Sequence, residues 1–427
     1  MATDFARSDH PLLDRLLKAA GQQKIRGVDL SLERIERLLL RMGSPHRRLP
    51  PVFHVAGTNG KGSTCAFLRA GLEAAGLRVH CFTSPHLVRV NERIRLAGTL
   101  VTDADFAEAL GDVLRVNAGQ PLSFFEAVTA AAFLLFAATP ADATVLEVGL
   151  GGRLDATNVV PEPLVCGIAE LSIDHAAILG PTILHIAGEK AAIAKRGVPL
   201  VTQRYARAVA TRIAEVAALA AARLMPRGEA WDAAVHENRL HVRLIAGERE
   251  PRSLPLPRLP GSHQVDNAAL AVAMLEAQAH FSLPDSALAS AMQWAAWPGR
   301  LQRLVEGPLF DLLPAGSTLH ADGGHNPGAG KALASWLASM PGPQVLVAGM
   351  IASKDHRAFL KAIPHGVRII GVPVPGHASI APDMLSTETA PDLASAFALI
   401  REPATVLVCG SLHLVGELLR QNGPLPA

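Results

Sequence analysis

Residues 52–64, which read VFHVAGTNGKGST, constrain the fold of this chain more than any other stretch. The first five residues form an apolar run that predicts a buried β-strand. A glycine-rich segment that contains Lys61 follows, and residues 63–75 then show the pattern of an amphipathic helix that ends at Gly76. This order predicts a phosphate-binding loop, because backbone N–H groups and a helix N-terminus favour negative charge. The spacing is not that of the Walker motif, and a flexible loop with a surface lysine is the alternative.

Segments with strand and helix patterns alternate on both sides of this loop. Strand patterns occur at residues 77–83, 143–148, 164–171, 198–202, 344–349, 367–374 and 405–410. Helical patterns occur at residues 11–42, 103–118, 126–138, 186–195, 206–223, 266–280 and 285–295. The alternation predicts an α/β protein with a doubly wound, mostly parallel sheet. Residues 225–261 instead show short strand signals and prolines, which predict an antiparallel excursion.

The length of the chain predicts more than one domain. At 427 residues it exceeds the size of an ordinary domain, and the Trp297-Pro298-Gly299-Arg300 segment is the best candidate for a boundary. We therefore expect a phosphate-binding domain over residues 1–296 and a smaller α/β domain over residues 297–427.

Composition argues against several other classes of protein. A net charge of +2 and an aromatic content of 4% give no reason to expect binding to nucleic acid. The four cysteines form no CxxC pair, so neither a disulfide framework nor a zinc site is predicted. We find no apolar stretch long enough to span a bilayer and no secretory signal, so we expect a cytoplasmic protein without a membrane partner.

Polar residues occur where the predicted strands end, and open α/β sheets bind ligands at such ends. Ser84 follows one strand, Glu147 lies within the next, and Asp174 and His175 follow a third. A glutamate inside so apolar a strand is costly unless it is paired or bound to a metal. Beside a phosphate loop, Ser84, Glu147 and His175 are candidate Mg²⁺ ligands, since Mg²⁺ prefers oxygen ligands and imidazole on Mg²⁺ is less usual. The alternatives are a Glu147 satisfied by backbone donors, a turn-forming Ser84 and an ordinary loop histidine at His175.

A series of short motifs carries a resemblance that extends from about residue 24 to residue 417. The N-terminal motifs are GTNGKGS at Gly57, TSPHL at Thr83, ERIR at Glu92, FFE at Phe124, EVGLGGRLDATN at Glu147, DH at Asp174 and EK at Glu189. The C-terminal motifs are GSHQ at Gly261, PGR at Pro298, HNP at His325, KD at Lys354 and CGSLH at Cys409. In this order they resemble the folylpolyglutamate synthases, most closely the bacterial bifunctional dihydrofolate synthase form, within the Mur ligase superfamily. The resemblance implies a Mur ligase-like P-loop domain followed by a Rossmann-like α/β domain.

The resemblance implies an ATP-dependent amide ligase that adds L-glutamate to 7,8-dihydropteroate and to reduced folates through an acyl phosphate. Its cofactors would be ATP and two Mg²⁺ ions, and a requirement for a monovalent cation stays open. The metal ligands would be Ser84, Glu147, His175 and a carbamylated Lys190, and the catalytic residues Lys61, Glu147, His175 and Lys190. ATP would contact Gly57, Thr58, Asn59, Gly60, Lys61, Gly62, Ser63, Asn267, Arg300 and Asp322. The alternative for Lys190 is an ordinary helix lysine paired with Glu189.

The same resemblance places the other substrates. Folate would contact Asp29, Ser123, Phe125, Glu126, Leu154, Asp155 and Ala156, and glutamate would contact His325 and Ser411. A phenyl ring suits stacking on a pterin, and carboxylates suit its N–H donors. The alternatives are a turn residue at Asp29 and core residues at Phe124 and Phe125. Contacts from both domains predict that closure assembles the site, and the family implies a monomer.

Two departures from the family pattern bear on the placement of metal and glutamate. The family's DHTDxLG reads DHAAILG here, so a threonine and an acid are missing after His175. The aspartate that usually precedes Lys354 is Ser353. Three other functions stay open: a ligase with only one of the two folate activities, a Mur-type ligase for a cell-wall precursor, and a nucleotide-binding regulatory protein without catalysis.

Overall fold

A computed structural model describes residue 8 and residues 10–21, 30–245 and 250–423. Within these ranges the helices are α1 (Pro11–Gly21), α2 (Glu33–Arg41), α3 (Lys61–Ala74), α4 (Asp103–Asn117), α5 (Phe124–Ala138), α6 (Ala176–Leu179), α7 (Ile183–Ala191), α8 (Arg207–Leu219), α9 (His263–Glu276), α10 (Asp285–Trp294), α11 (Pro327–Ala338), α12 (His356–Leu360), α13 (Leu393–Ala398) and α14 (Leu412–Asn422). None of the helices in the described ranges is long and apolar enough to cross a membrane.

The first sheet contains the strand that precedes the phosphate loop. Its strands are β1 (Val52–Ala56), β2 (Val79–Phe82), β3 (Ile94–Leu96), β4 (Thr99–Leu100), β5 (Ala143–Glu147), β6 (Val165–Ile168), β7 (Pro199–Thr202) and β8 (Arg223–Pro226). They lie in the order β4-β3-β2-β5-β1-β6-β7-β8, and every pairing from β2 to β8 is parallel. The prediction of a mostly parallel sheet is therefore confirmed. The antiparallel strands β3 and β4 form one edge.

Helices cover both faces of this sheet, as the apolar strands require. One buried cluster joins Phe53 of β1 to apolar residues of α3, α9 and α10. A second cluster, on the other face, joins Phe82 of β2 to apolar residues of α1, α2, α4 and α5. Since β1 and its neighbours are buried on both sides, their polar side chains at the carboxyl ends are the ones that can reach a ligand.

The region predicted as an antiparallel excursion divides between two sheets. Residues 223–226 form β8 and pair in parallel with β7, so this part of the prediction was wrong. The strands β9 (Trp231–His236), β10 (Arg239–Leu244) and β11 (Arg252–Pro255) then form a separate antiparallel sheet in the order β11-β10-β9. Trp231 anchors it, because its ring is fully buried and its indole N–H lies 3.2 Å from the carbonyl oxygens of Thr202 and Met225.

A third sheet lies in the C-terminal part of the chain. Its strands are β12 (Gln302–Leu304), β13 (Thr318–Ala321), β14 (Gln344–Ala348), β15 (Arg368–Gly371), β16 (Glu388–Thr389) and β17 (Thr405–Cys409), in the order β12-β13-β17-β14-β15-β16. All neighbours are parallel except β12 and β13. The strands of this sheet all follow residue 301, whereas a division into domains at residues 296 and 297 stays a prediction.

Several element ends differ from the predicted ones for local reasons. The helix α3 begins at Lys61 rather than at residue 63, because Gly60 already takes the left-handed conformation that ends the loop. The strand β6 ends at Ile168 rather than at residue 171, because the chain beyond it turns to bond the phosphate loop. The helix α7 begins at Ile183, where the hydroxyl of Thr182 caps it by accepting from the backbone N–H of His185.

Candidate active site

A cavity of about 1130 Å³ opens at the carboxyl ends of β1, β5 and β6. It is lined by residues that the sequence analysis predicted for nucleotide, metal and glutamate: Gly57, Thr58, Asn59, Gly60, Lys61, Gly62, Ser63, Ser84, Glu147, His175, Lys190, Asn267, Arg300, Asp322 and His325. The volume suits a nucleotide together with a second substrate. The remaining predicted residues lie elsewhere, and Asp29 falls outside the described residues.

The phosphate loop is held from behind by the end of the neighbouring strand. The backbone N–H groups of Thr58 and Asn59 both donate to the carbonyl oxygen of Glu170, at 2.8 and 3.2 Å. The hydroxyl of Thr58 donates to the carbonyl of Ser172 at 3.0 Å. The N–H groups of residues 60–63, where α3 begins, donate to no acceptor in the described part of the chain. Since Thr58 and Asn59 are already engaged, these later amides are the ones that can meet an anion.

Two glycines of the loop are required by close packing. A Cβ at Gly60, whose φ is +80°, would collide with the side-chain amide of Asn267. A Cβ at Gly62 would lie 2.5 to 2.6 Å from ring atoms of Trp297. The loop is therefore enclosed by α9 on one side and by the linker before Arg300 on the other.

Glu147 ends β5 directly beside β1, where its Cα pairs with Val55. Its side chain is only 4% exposed, and the backbone N–H of Ser84 donates to Oε2 at 3.1 Å. Burial raises the pKa of this carboxyl, while the positive charge of Lys61 acts in the opposite direction. One carboxylate oxygen of Glu147, Oε2, is therefore satisfied by a backbone donor, as the alternative to metal binding predicted. The Glu147 carboxylate and the Ser84 hydroxyl are oxygen donors of the kind that Mg²⁺ prefers. The described residues bring no three His, Cys, Asp or Glu side chains together as a ready metal site, so any ion here would also need phosphate oxygens or water as ligands.

Lys190 is buried without an acceptor. Its side chain is 5% exposed, and no hydrogen bond or ion pair to its Nζ occurs within the described residues. Burial, assisted by the nearby charge of Lys61, lowers the pKa of Lys190 to about 7. The alternative pairing with Glu189 is wrong, because the Glu189 carboxylate binds Nε of Arg153 at 2.9 Å. An unpaired buried lysine is costly, so this position points to chemistry rather than to structure.

A polar cluster joins the end of the segment after β6 to the C-terminal part of the chain. Oδ1 of Asp174 lies 2.6 Å from Nζ of Lys354, and Oδ2 lies 3.3 Å from Nε2 of His325. The side-chain amide of Asn326 also donates to Oδ2, at 3.2 Å. Burial of Asp174 opposes its ionisation, but the contacts with His325 and Lys354 outweigh it and hold the pKa below its ordinary value.

His175, which was also predicted as a metal ligand, belongs to the same cluster. Its Nε2 lies 3.4 Å from Nζ of Lys354, and its backbone is left-handed with a φ of +52°. Burial, with the charge of Lys354 second, lowers the pKa of His175 to about 4, so the ring is neutral at physiological pH. A neutral imidazole can donate a lone pair to a metal. His175 and Glu147 both line the cavity, and no hydrogen bond joins them in the described residues.

Backbone groups of the C-terminal part of the chain hold two of the residues predicted for ATP and glutamate, Asp322 and His325. Asp322 accepts the N–H of Leu301 at 2.9 Å and that of Gly324 at 2.7 Å. His325 Nδ1 donates to the carbonyl of Gly323 at 2.7 Å. Ser411, the other residue predicted for glutamate, is buried and caps α14. It is not among the residues that line the cavity.

The predicted folate residues form the region behind one wall of the cavity. A Cβ at Gly149, which lines the cavity, would collide with the ring of Phe125. Ser123 and Glu126 form the capping box of α5, and Glu126 also accepts from Arg34 Nε at 3.2 Å. Asp155 is 2% exposed, and its Oδ2 accepts the N–H of Leu150 at 2.8 Å. Leu154 is partly buried, and Ala156 packs in the same apolar cluster as Phe125.

Several residues of the site were not assigned a role from the sequence. Asp174 was noted as a polar residue after a predicted strand and Lys354 as part of a motif, but neither was given a role; the available signal was that Asp174 directly precedes the predicted ligand His175. Asn326 forms a reciprocal amide pair with Asn59, at 2.8 and 3.2 Å, which ties α11 to the phosphate loop. Trp297 lies directly before the Pro-Gly-Arg motif, but no local pattern predicts that its ring covers Gly62.

Comparison with known proteins gives a consistent result. No protein-family model matches the chain. The dihydrofolate synthase/folylpolyglutamate synthase of Bacillus subtilis is 35% identical over 433 residues, which covers 92% of this chain and 95% of the relative. Escherichia coli FolC, solved in complex with DHPP and ADP, is 32% identical with a TM-score of 0.85 and covers 96% of this chain and 97% of that chain. A bifunctional folylpolyglutamate synthase/dihydrofolate synthase with Mn, AMPPNP and L-glutamate bound is 33% identical, with the same TM-score and coverage.

These similarities extend over nearly the full length of both partners. They confirm the resemblance inferred from the motifs and the Mur ligase-like α/β fold. The roles of individual residues are not tested by them and stay predictions. On sequence identity and fold together, the chain belongs to the dihydrofolate synthase/folylpolyglutamate synthase family of ATP-dependent ligases.

Proposed function

We propose that this chain joins L-glutamate to 7,8-dihydropteroate and to reduced folates in a reaction driven by ATP. The observation that carries the proposal is the single cavity in which the phosphate loop, Glu147 and Lys190 meet Arg300 and His325 from the C-terminal part. Relatives of the same family have been solved with ADP or AMPPNP, and one of them with L-glutamate. A Mur-type cell-wall ligase is disfavoured by the family membership, and a non-catalytic protein by the retained Lys61, Glu147 and Lys190.

The reaction requires two anions to approach each other. A carboxylate oxygen of the folate substrate forms a bond to the γ-phosphorus of ATP while the bond to the β-phosphate oxygen breaks and ADP leaves. The amine of glutamate then attacks the acyl carbon, phosphate leaves, and the amine loses a proton. Lys61 and the amides that begin α3 stabilise the phosphate charge. Trp297 covers the loop at Gly62 and so limits how the phosphates can be placed.

The metal would be held by Ser84, Glu147 and His175, with Lys190 as a carbamate. We propose two Mg²⁺ ions, which when bound neutralise the charge that develops on the phosphates. The carbamate requires a neutral amine to react with CO₂. With a pKa of about 7, roughly three quarters of Lys190 is neutral at pH 7.5, against about 0.1% of an ordinary lysine. The buried and unpaired Lys190 thus fits this modification.

The Asp174 cluster supports a role for closure in glutamate addition. His325 and Lys354 both contact Asp174, so the residue predicted for glutamate is held against the N-terminal part of the chain. Since the aspartate that usually precedes Lys354 is Ser353, Asp174 is the acid that keeps Lys354 at the site. We also propose that the enzyme is cytoplasmic and acts as a monomer. Sedimentation of the purified protein would test the oligomeric state.

The deciding experiment is phosphate release by the purified protein with ATP, Mg²⁺ and L-glutamate. Separate reactions with 7,8-dihydropteroate and with tetrahydrofolate, followed by mass spectrometry, should each give a product heavier by one glutamyl unit. Turnover of one acceptor alone would leave a single-activity ligase. Turnover of neither acceptor by folded protein that binds ATP would refute the proposal, and UDP-linked precursors would then test the cell-wall alternative. A parallel titration with K⁺ measures any monovalent-cation requirement.

A further inference from the structure

A line of three hydrogen-bonded side chains runs behind the cavity, from β1 to the loop that follows β5. Nε2 of His54 lies 2.8 Å from Oγ1 of Thr157. The Thr157 hydroxyl lies 2.6 Å from Oδ1 of Asp155, which also accepts the Thr157 backbone N–H at 3.0 Å. His54 and Thr157 are fully buried, and Asp155 is 2% exposed. None of the three lines the cavity.

The direction of each hydrogen bond follows from the donors available. The amide of Leu150 and both donors of Thr157 point at Asp155, so its carboxylate acts only as an acceptor. The single hydrogen of the Thr157 hydroxyl is therefore used, and Oγ1 can only accept from His54. Nε2 of His54 must carry its proton. Nδ1 is left without a partner among the described residues, which fits a neutral ring with one tautomer.

Burial favours the same neutral form. Desolvation, with the charge of Lys195 second, lowers the pKa of His54 to about 3. The histidine therefore does not titrate in the physiological range and serves as a fixed donor. A buried donor that lost its acceptor here would carry the full cost of desolvation, so the three side chains hold one another in place.

The three hydrogen-bonded side chains reach the cavity through Asp155, which supports the part of the lining formed by residues 149–151. Oδ2 of Asp155 accepts the N–H of Leu150 at 2.8 Å, and Leu150 and Gly151 line the cavity. The far side of the same loop is tied to α7, because the N–H of Arg153 donates to the carbonyl of Glu189 at 2.9 Å. The wall is thus fixed between the helix that carries Lys190 and the strand that carries His54.

We propose that His54 and Thr157 are positioning residues for the folate substrate, acting through Asp155 on the wall formed by residues 149–151. The inference rests on the proposed function for the identity of the substrate. It places one support of the folate site on β1, three residues before the phosphate loop, although neither residue contacts the cavity. Loss of this support should disturb the folate substrate more than ATP, because the phosphate loop has its own support from Glu170.

Thr157→Val tests the inference, since it keeps the shape of the side chain and removes only the hydroxyl. We expect its KM for 7,8-dihydropteroate to rise about tenfold, the equivalent of one buried hydrogen bond of roughly 1.4 kcal/mol. The KM for ATP should change less than about twofold. Thr157→Ser, which keeps a hydroxyl, should restore the KM for dihydropteroate. The matched control is Thr144→Val, because Thr144 is also fully buried in this sheet but its hydroxyl has no partner among the described residues.

An equal rise in both KM values, or equal effects of Thr157→Val and Thr144→Val, would overturn the inference. Hydrogen exchange of the Leu150 amide provides a readout that does not depend on turnover. It should be about tenfold faster in Thr157→Val than in the wild type or in Thr144→Val. If the wild type turned over neither acceptor, the proposed function would fail while this exchange measurement still decided the positioning role. His54→Leu removes the donor at the other end and serves for both measurements if Thr157→Val does not fold.

Discussion

Replacement of Lys190 by methionine should stabilise the protein, although Lys190 is expected to be essential for activity. The pKa of Lys190 is lowered from 10.5 to about 7 by burial. Because a tenfold change in proton affinity is worth about 1.4 kcal/mol, this corresponds to about 5 kcal/mol of unfavourable burial at low pH. At pH 7.5 about 4 kcal/mol of it persists, since the unfolded chain still binds the proton. Lys190→Met keeps the apolar stem and removes the charge, so its free energy of unfolding should exceed that of the wild type by about this amount.

The free energy of unfolding should depend on pH differently in the wild type and in Lys190→Met. Between about pH 7 and pH 10.5 the unfolded wild type binds more protons at this position than the folded one. The stability of the wild type should therefore rise with pH across this window relative to Lys190→Met. Urea unfolding of both proteins at pH 6, 7.5 and 9, in buffer free of carbon dioxide, measures the difference. The exposed Lys361→Met is the control and should leave both stability and slope unchanged.

Two results would refute this reasoning. A Lys190→Met variant that is less stable than the wild type would show that Nζ has an acceptor in the folded protein. A variant that keeps the pH slope of the wild type would show that Lys190 titrates as an ordinary lysine. Bicarbonate added to the wild type should increase its stability if the amine becomes a carbamate, and should not affect Lys190→Met.

Three further changes test other parts of the site. Gly62→Ala places a methyl group 2.5 to 2.6 Å from the ring of Trp297, which must move. Calorimetry should show ATP binding weakened at least about tenfold. The control is Gly111→Ala, whose new methyl group has its nearest neighbour at 3.8 Å and should leave ATP binding unchanged. Glu147→Gln should reduce turnover at least about a thousandfold without lowering the melting temperature, because it removes a buried charge; near-normal turnover would exclude Glu147 as a metal ligand. Ser123→Ala should cost about 1 kcal/mol of stability by loss of the capping box, and an unchanged urea midpoint would contradict that role.

The local patterns of the sequence determined the elements and the place of the site. The apolar run before a glycine loop predicted β1, and the structure has the strand at the same residues, 52–56. Glu147 was predicted to be exceptional from its apolar neighbours alone, and it is buried at the end of β5. Both predictions succeed because strand burial and glycine conformations depend on a few adjacent residues. The order of the motifs was equally informative about the family, since it extends over most of the chain.

Tertiary structure alone decided which side chains meet. Asp174 and Lys354 are 180 residues apart, and their contact depends on how the third sheet lies against the first. Lys190 has no ion-pair partner among the described residues, and the neighbouring Glu189 binds Arg153, 36 residues away along the chain. His54 meets Thr157 across 103 residues, because β1 lies beside β5 and the segment that follows β5 turns back behind β1. Such contacts are set by the packing of distant segments, and no periodicity or local spacing in the sequence encodes them.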